Sequence, residues 1–149
     1  MNHELLKYSD GGLQMTAYKG VEKNDCTVRA LAILAKVPYE KAHEILELGG
    51  RRNRKGFYMG RFLERNPVLC GYKFTPVSFG ERLTMGKTLR QFINNNKKGE
   101  YMVFVRGHAT SVVDGKCVDT YIRPKSRVIN VFRVEPTDLQ MENIKPNWF

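Results

Sequence analysis

Apolar positions follow helical spacing in the first two thirds of the chain and β-type runs in the last third. Val28, Leu31, Ala32 and Ala35 recur at i, i+3, i+4 and i+7, which predicts a helix over 26–36 with Asp25 as its N-cap. Val37-Pro38 breaks it, and Pro38 suits the first position of a second helix. Tyr39, Ala42, Ile45, Leu46 and Gly49 carry that helix to a Gly49-Gly50 stop. Gly56 to Asn66 reads as a short amphipathic helix with Phe57, Phe62 and Leu63 inward, ended by Asn66-Pro67. Thr88-Leu89-Arg90-Gln91 is a capping box for a further helix with Leu89, Phe92 and Ile93 on its apolar stripe, ending near Lys97-Lys98-Gly99.

Strands are expected elsewhere. After an Asp10-Gly11-Gly12 turn, Leu13–Tyr18 reads as a short strand, and Cys70–Val77 as a strand followed by irregular chain. Tyr101–Arg106, His108–Val113, Lys116–Ile122 and Val128–Val134 form a β region, with Asp114-Gly115 as a hairpin turn between the second and third runs. The segment from Glu135 to Phe149 holds two prolines and is expected on the surface. Helices before strands is an α+β order, here N-terminal helices packed on a C-terminal antiparallel sheet.

Composition narrows the picture. A length of 149 residues predicts one domain, 1–149, able to bury its own core. A net charge of +10 favours anionic partners. The densest basic run is Arg51-Arg52-Asn53-Arg54-Lys55; it reads as a solvated loop, with Arg51, Arg52, Arg54 and Lys55 also the candidates for gripping phosphates or an acidic surface. There is no aromatic–basic interleaving of an RNA-recognition kind and no helix-turn-helix, so nucleic acid is not the favoured partner. Three cysteines without a C-x-x-C pair argue for reduced thiols and a cytoplasmic setting. No stretch approaches the ~18 apolar residues of a membrane span, and Met1–Lys7 lacks the apolar run of a secretory signal. Cys26, Cys70, Cys117 and His108 lack the paired spacing of zinc motifs, so no metal is expected, and no cofactor either. His43 falls mid-helix and reads as structural or exposed, His3 lies near the terminus, and Cys70 and Cys117 read as buried.

One constellation carries chemistry. A cysteine at a helix start, as Cys26 is, feels the positive end of the helix, which favours the thiolate. If Asp114-Gly115 are the two loop residues of the hairpin, Val113 pairs with Lys116, Val112 with Cys117, Thr110 with Asp119 and His108 with Tyr121. His108 and Asp119 then share a face at diagonal positions, ~7–8 Å apart at the backbone and within reach of a His–Asp hydrogen bond. Asp114 lies six residues along, roughly 20 Å at ~3.3 Å per residue, and is a turn residue instead. Gly107 before His108 is read as allowing close approach of the cysteine helix. Cys26, His108 and Asp119 thus fill the roles of nucleophile, base and orienting acid.

Asn24-Asp25-Cys26 opening an apolar helix, then Gly107-His108-Ala109, Val112-Val113-Asp114-Gly115 and Asp119, resembles the papain-like cysteine peptidase superfamily, and most closely its C39-like and small bacteriophage-encoded members. The resemblance spans residues 20–122 through two short blocks. It implies a papain-like fold and a thiol hydrolase, a peptidase or amidase, with Cys26 as nucleophile, His108 as general base and acid and Asp119 as orienter. It also implies a protein or peptide substrate and a viral protein acting in the cytoplasm of a bacterial host, on host protein. Six residues before the cysteine, where papain-like enzymes carry a glutamine oxyanion donor, this chain has Gly20; Asn24 is the replacement candidate, with Gln14 a second. Acyl transfer rather than hydrolysis, and a catalytically silent binding protein on the same fold using its basic surface, stay open beside the hydrolase.

Overall fold

The computed structural model describes residues 4–148; His3 lies outside them. In chain order the elements are β1 (Leu6–Tyr8), α1 (Cys26–Ala35), α2 (Tyr39–Leu48), α3 (Met59–Arg65), β2 (Val68–Leu69), β3 (Tyr72–Pro76), α4 (Phe79–Met85), α5 (Leu89–Asn95), β4 (Glu100–Val105), β5 (His108–Val113), β6 (Lys116–Asp119) and β7 (Val128–Pro136). The strands make one seven-stranded sheet in the order β1-β6-β5-β4-β7-β3-β2. The class is mixed α+β.

The alternation of side chains along β4 explains the layering. Met102 packs with Leu31, Leu34, Phe62, Phe74 and Phe132 in the core under α1, α2 and α3. Its neighbours Tyr101 and Val103 point the other way and pack with Met85 of α4 and with Leu89, Phe92 and Ile93 of α5. Helices therefore cover both faces of the sheet. A strand buried on both faces favours apolar residues at successive positions, which is why Tyr101–Val105 of β4 read as a continuous apolar run.

Several expectations are corrected. The sheet is neither wholly antiparallel nor wholly C-terminal: β1 pairs parallel with β6, Leu6 opposite Cys117, and β2 and β3 form the far edge. Leu13–Tyr18 is not a strand. The Asp10 carboxylate accepts the N–H groups of Gly12 and Gln14, and the Thr16 hydroxyl donates to the Leu13 carbonyl, which curls the segment into a 3-10 turn over Leu13–Met15. Cys70 and Gly71, expected to open a strand, both have positive φ and form the turn of the β2–β3 hairpin, and the strand starts at Tyr72. α4 replaces the irregular chain expected after it, and the Ser78 hydroxyl caps it by accepting the Glu81 N–H. Pro38 sits at the N-cap of α2, one residue earlier than expected, and Asp25, although at the N-cap of α1, makes no side-chain cap.

Arg51 departs most from the solvated-loop reading. It is 4 % exposed. Its guanidinium makes a two-pronged pair with Glu22, Nη1 to Oε2 at 3.1 Å and Nη2 to Oε1 at 3.0 Å. His43 Nε2 meets Glu22 Oε2 at 2.7 Å and stacks on Tyr18 with ring centroids 4.1 Å apart, so His43 is a structural residue. The Arg54 and Lys23 N–H groups also donate to Glu22. Burial works to raise the Glu22 pKa, but Arg51, then His43 and the two backbone donors, outweigh it and bring it down to about 2. This clasp ties the loop that delivers the chain to α1 onto α2 and the 51–55 segment.

Among the described residues no helix is long and apolar enough to cross a membrane. Removing one partner from a buried ion pair leaves the other charge uncompensated. Glu22→Gln is expected to destabilise the fold by about 3–5 kcal/mol in urea unfolding, with Glu22→Gln/Arg51→Met costing less than the sum of the single changes. Since the Glu22 pKa is depressed, the clasp contributes fully above pH 4.5 and weakens as pH falls toward about 2.

Candidate active site

Three elements converge on the site. α1 begins at Cys26, β5 begins at His108, and Asp119 ends β6. The hairpin register is the expected one, with Val113 opposite Lys116 and Val112 opposite Cys117. His108 Nε2 meets Asp119 Oδ2 at 2.7 Å, and both side chains are buried. The Ala109 N–H, one residue past the histidine, donates to Cys26 Sγ at 3.4 Å. With Nε2 committed to Asp119, Nδ1 is the nitrogen left for the thiol, and Cys26 and His108 line the same cleft. The Tyr121 hydroxyl lies 3.3 Å from Nδ1. Cys26, His108 and Asp119 are therefore brought together.

Asp119 is tightly held. Oδ2 also accepts the Thr110 hydroxyl at 2.6 Å, Oδ1 accepts the Thr120 N–H at 2.7 Å, and Arg29 Nη2 of α1 stands 3.9 Å from Oδ1. Burial alone would raise the Asp119 pKa, yet the hydrogen bonds from His108 and Thr110 lower it. Behind Thr110 sits Cys117 Sγ at 3.2 Å. Burial pushes the Cys117 thiol up to about 12, so it stays protonated and donates to Thr110, which in turn donates to Asp119.

The electrostatics of the pair run in one direction. Burial would lower the His108 pKa, but Asp119 first and Cys26 second raise it to about 9. Burial would raise the Cys26 pKa, but the His108 hydrogen bond, the Ala109 N–H, and the charges of His108 and Arg29 bring it below the usual thiol range. Both shifts favour the thiolate–imidazolium form of the pair over the neutral one.

The cleft in front of the sulfur has a volume of 630 Å³. Cys26 and Thr27 border it on one side and residues 56–61 border it too; Phe104, Ala109 and Asn130, aligned across three adjacent strands, line it from the sheet. Tyr58 and Ile129 are exposed at its rim. A separate cleft of 470 Å³ beside Asn66 and Lys145 contains none of the three site residues.

Other candidates fall elsewhere. The Asn24 amide donates to the Arg54 carbonyl at 3.1 Å, and neither Asn24, Gln14 nor Gly20 lines the cleft. Arg51 is spent on Glu22, which leaves Arg52, Arg54 and Lys55 as the exposed part of that run. Gly107 has open space where a Cβ would go; its φ of 72°, not close packing, explains the glycine. Cys70 is half-buried at the β2–β3 turn, with burial raising its pKa. Among the described residues no cluster of His, Cys, Asp or Glu could hold a metal ion.

Sequence reasoning missed Arg29, Thr110 and Tyr121 as members of the site. Arg29 was marked only by its place one turn after Cys26. Its guanidinium pairs with Asp25, whose other oxygen accepts the Tyr39 hydroxyl at 2.7 Å, so the Asp25 carboxylate that fails to cap α1 anchors it to α2. Compared with known proteins, the chain matches no family model, no curated protein and no solved structure.

Thiolates, not thiols, react with iodoacetamide. Peptide mapping after a short exposure at neutral pH is expected to find Cys26 labelled well ahead of Cys70 and Cys117. His108→Ala should slow Cys26 labelling by about tenfold or more, as loss of the stabilising partner returns the proton to sulfur.

Proposed function

We propose that this chain is a thiol hydrolase of papain-like type acting on an amide of a protein or peptide. The observation that carries the reading is the 2.7 Å His108–Asp119 bond beside a helix-start thiol whose sulfur accepts the N–H of Ala109, the residue after the histidine. The order of parts, a helix-borne cysteine followed by histidine and aspartate on adjacent strands, supports the papain-like comparison.

In the first step Cys26 Sγ attacks the carbonyl carbon, and the C=O electron pair moves to oxygen. Collapse of that intermediate breaks the C–N bond while the imidazolium of His108 gives its proton to the leaving nitrogen. The acyl group is left as a thioester on Cys26. His108, now neutral, takes a proton from water as the water oxygen attacks the thioester, and collapse breaks the C–S bond, releasing a carboxylic acid and the Cys26 thiolate with the proton left on His108. Asp119 keeps the ring in the orientation that serves both steps.

The oxyanion needs donors. With Asn24 turned to Arg54, the backbone N–H groups of Cys26 and Thr27 at the start of α1, which have no intrahelical acceptor, are the candidate donors. A missing side-chain donor costs ~10²–10³ in rate, so turnover below that of a fully equipped site is expected. An amine in place of water would meet the same acyl-enzyme and give transfer instead. The rival reading, a binding protein on this fold, draws on the +10 charge, but a binder has no use for a buried carboxylate that keeps an imidazole charged beside a thiol.

Cys26→Ala is expected to abolish cleavage across a mixed synthetic peptide library read by mass spectrometry while leaving the unfolding midpoint near wild type. Absence of any Cys26-dependent cleavage overturns the hydrolase reading. For a cleaved peptide, the rate should fall toward acid as Cys26 takes up a proton, and toward alkali as His108 loses its own near pH about 9. Asp119→Asn removes the main influence raising the His108 pKa, so the alkaline limb should move to lower pH.

A further inference from the structure

Two stretches of the chain, 82–99 and 120–134, contain no aspartate or glutamate. The fold zips them together. Val128 N–H donates to the Lys87 carbonyl, Leu89 N–H to the Ser126 carbonyl and Arg90 N–H to the Pro124 carbonyl, each at 2.9 Å, with Thr88 bridged to Arg127. Lys87, Arg90, Arg123, Lys125 and Arg127 all emerge exposed on this seam. Lys87 and Arg127 line one groove, so their charges add there and favour an anionic occupant.

The seam adjoins an apolar surface. α4 exposes Phe79, 66 % accessible, and Leu83, 53 % accessible, four residues apart and on one side of the helix. Arg82 covers the Phe79 ring at 5.2 Å and donates to the Ile129 carbonyl. Together with Lys87 and Arg127 they line a shallow groove of 240 Å³. Ile129 lines that groove and also the cleft before Cys26. The two depressions thus adjoin at one side chain.

We infer that the substrate leaves the catalytic cleft across Ile129 and lays an acidic, apolar-containing peptide segment on the groove, its carboxylates toward Lys87 and Arg127 and its apolar side chains on Phe79 and Leu83. The inference rests on the hydrolase reading of Cys26 and names its substrate class: peptides carrying carboxylates beside the scissile amide. Charge complementarity and adjacency to the cleft at Ile129 both point to this occupant. It also relocates the anion-binding surface from 51–55, where Arg51 is consumed by Glu22, to the seam beside the site.

The test uses the Cys26→Ala protein and wild type with three labelled probes: a Glu- and Leu-containing peptide, its Gln counterpart, and a single-stranded oligonucleotide, followed by fluorescence anisotropy. The acidic peptide should bind more tightly than the Gln peptide and slow iodoacetamide labelling of wild-type Cys26. Lys87→Glu/Arg127→Glu should weaken acidic-peptide binding by about tenfold or more and remove the protection. The milder Lys87→Gln/Arg127→Gln pair, which reverses no charge, should give a smaller loss in the same direction. Acidic-peptide binding unchanged by both pairs overturns the proposal, as does an oligonucleotide that binds more tightly than the peptide and loses its affinity in the same variants. Either result leaves the hydrolase reading intact, since that reading stands or falls separately on Cys26-dependent cleavage.

Discussion

A hydrogen bond between two groups withdrawn from water, the imidazole of His108 and the carboxylate of Asp119, sets the chemistry of this molecule. Each group alone in that setting would shed its charge. Side by side they keep it, because the carboxylate has the Thr110 hydroxyl and the Thr120 N–H as further donors and the histidine has one negative partner at contact distance. The consequence appears one residue away, at sulfur. A positively charged ring next to Cys26 lowers the thiol's pKa, against the opposing effect of burial. Electrostatic influence thus runs from β6 to β5 to α1, across three elements held in register by the sheet and by the packing of α1 on it.

That register needs support from outside the site. α1 is fixed at its entry by two buried polar clusters, Asp25 with Tyr39 and Arg29, and Glu22 with Arg51 and His43. Both tie the segment before Cys26 to α2, and the Glu22 cluster also ties it to the loop after α2. The sheet is fixed by apolar packing on both faces, so β5 has little room to slide, and a slip of one residue would turn His108 away from Asp119. Polar clasps at the helix entry and a two-sided core under the strands divide the task of placing sulfur against nitrogen.

How far the sequence speaks depends on the range of the interactions involved. The Asp114-Gly115 turn is local and sets the hairpin, so the diagonal relation of His108 to Asp119 followed from counting. The Thr88–Gln91 capping box is equally local, and α5 starts where it says. Arg51 was misread because its partner Glu22 lies 29 residues away, and a charged run carries no mark of which member is buried. α4 was missed because Phe79 and Leu83 face solvent, which leaves the helix without the buried stripe that periodicity detects. β1 is only three residues long and exists because β6 offers an edge, a fact about the sheet rather than about Leu6–Tyr8. The Asn24 amide was a reasonable oxyanion donor by position, but its positive φ turns the backbone, and the side chain meets the Arg54 carbonyl.

The central claim is that Cys26 holds a negative charge near neutral pH because His108 holds a positive one. The ultraviolet absorbance of the thiolate reports this directly when wild type is titrated against Cys26→Ala and His108→Ala. The account predicts that at neutral pH wild type shows one thiolate more than Cys26→Ala, and that this excess disappears in His108→Ala. A wild-type excess that develops only in the alkaline range of an ordinary thiol, with the same midpoint in His108→Ala, would contradict it.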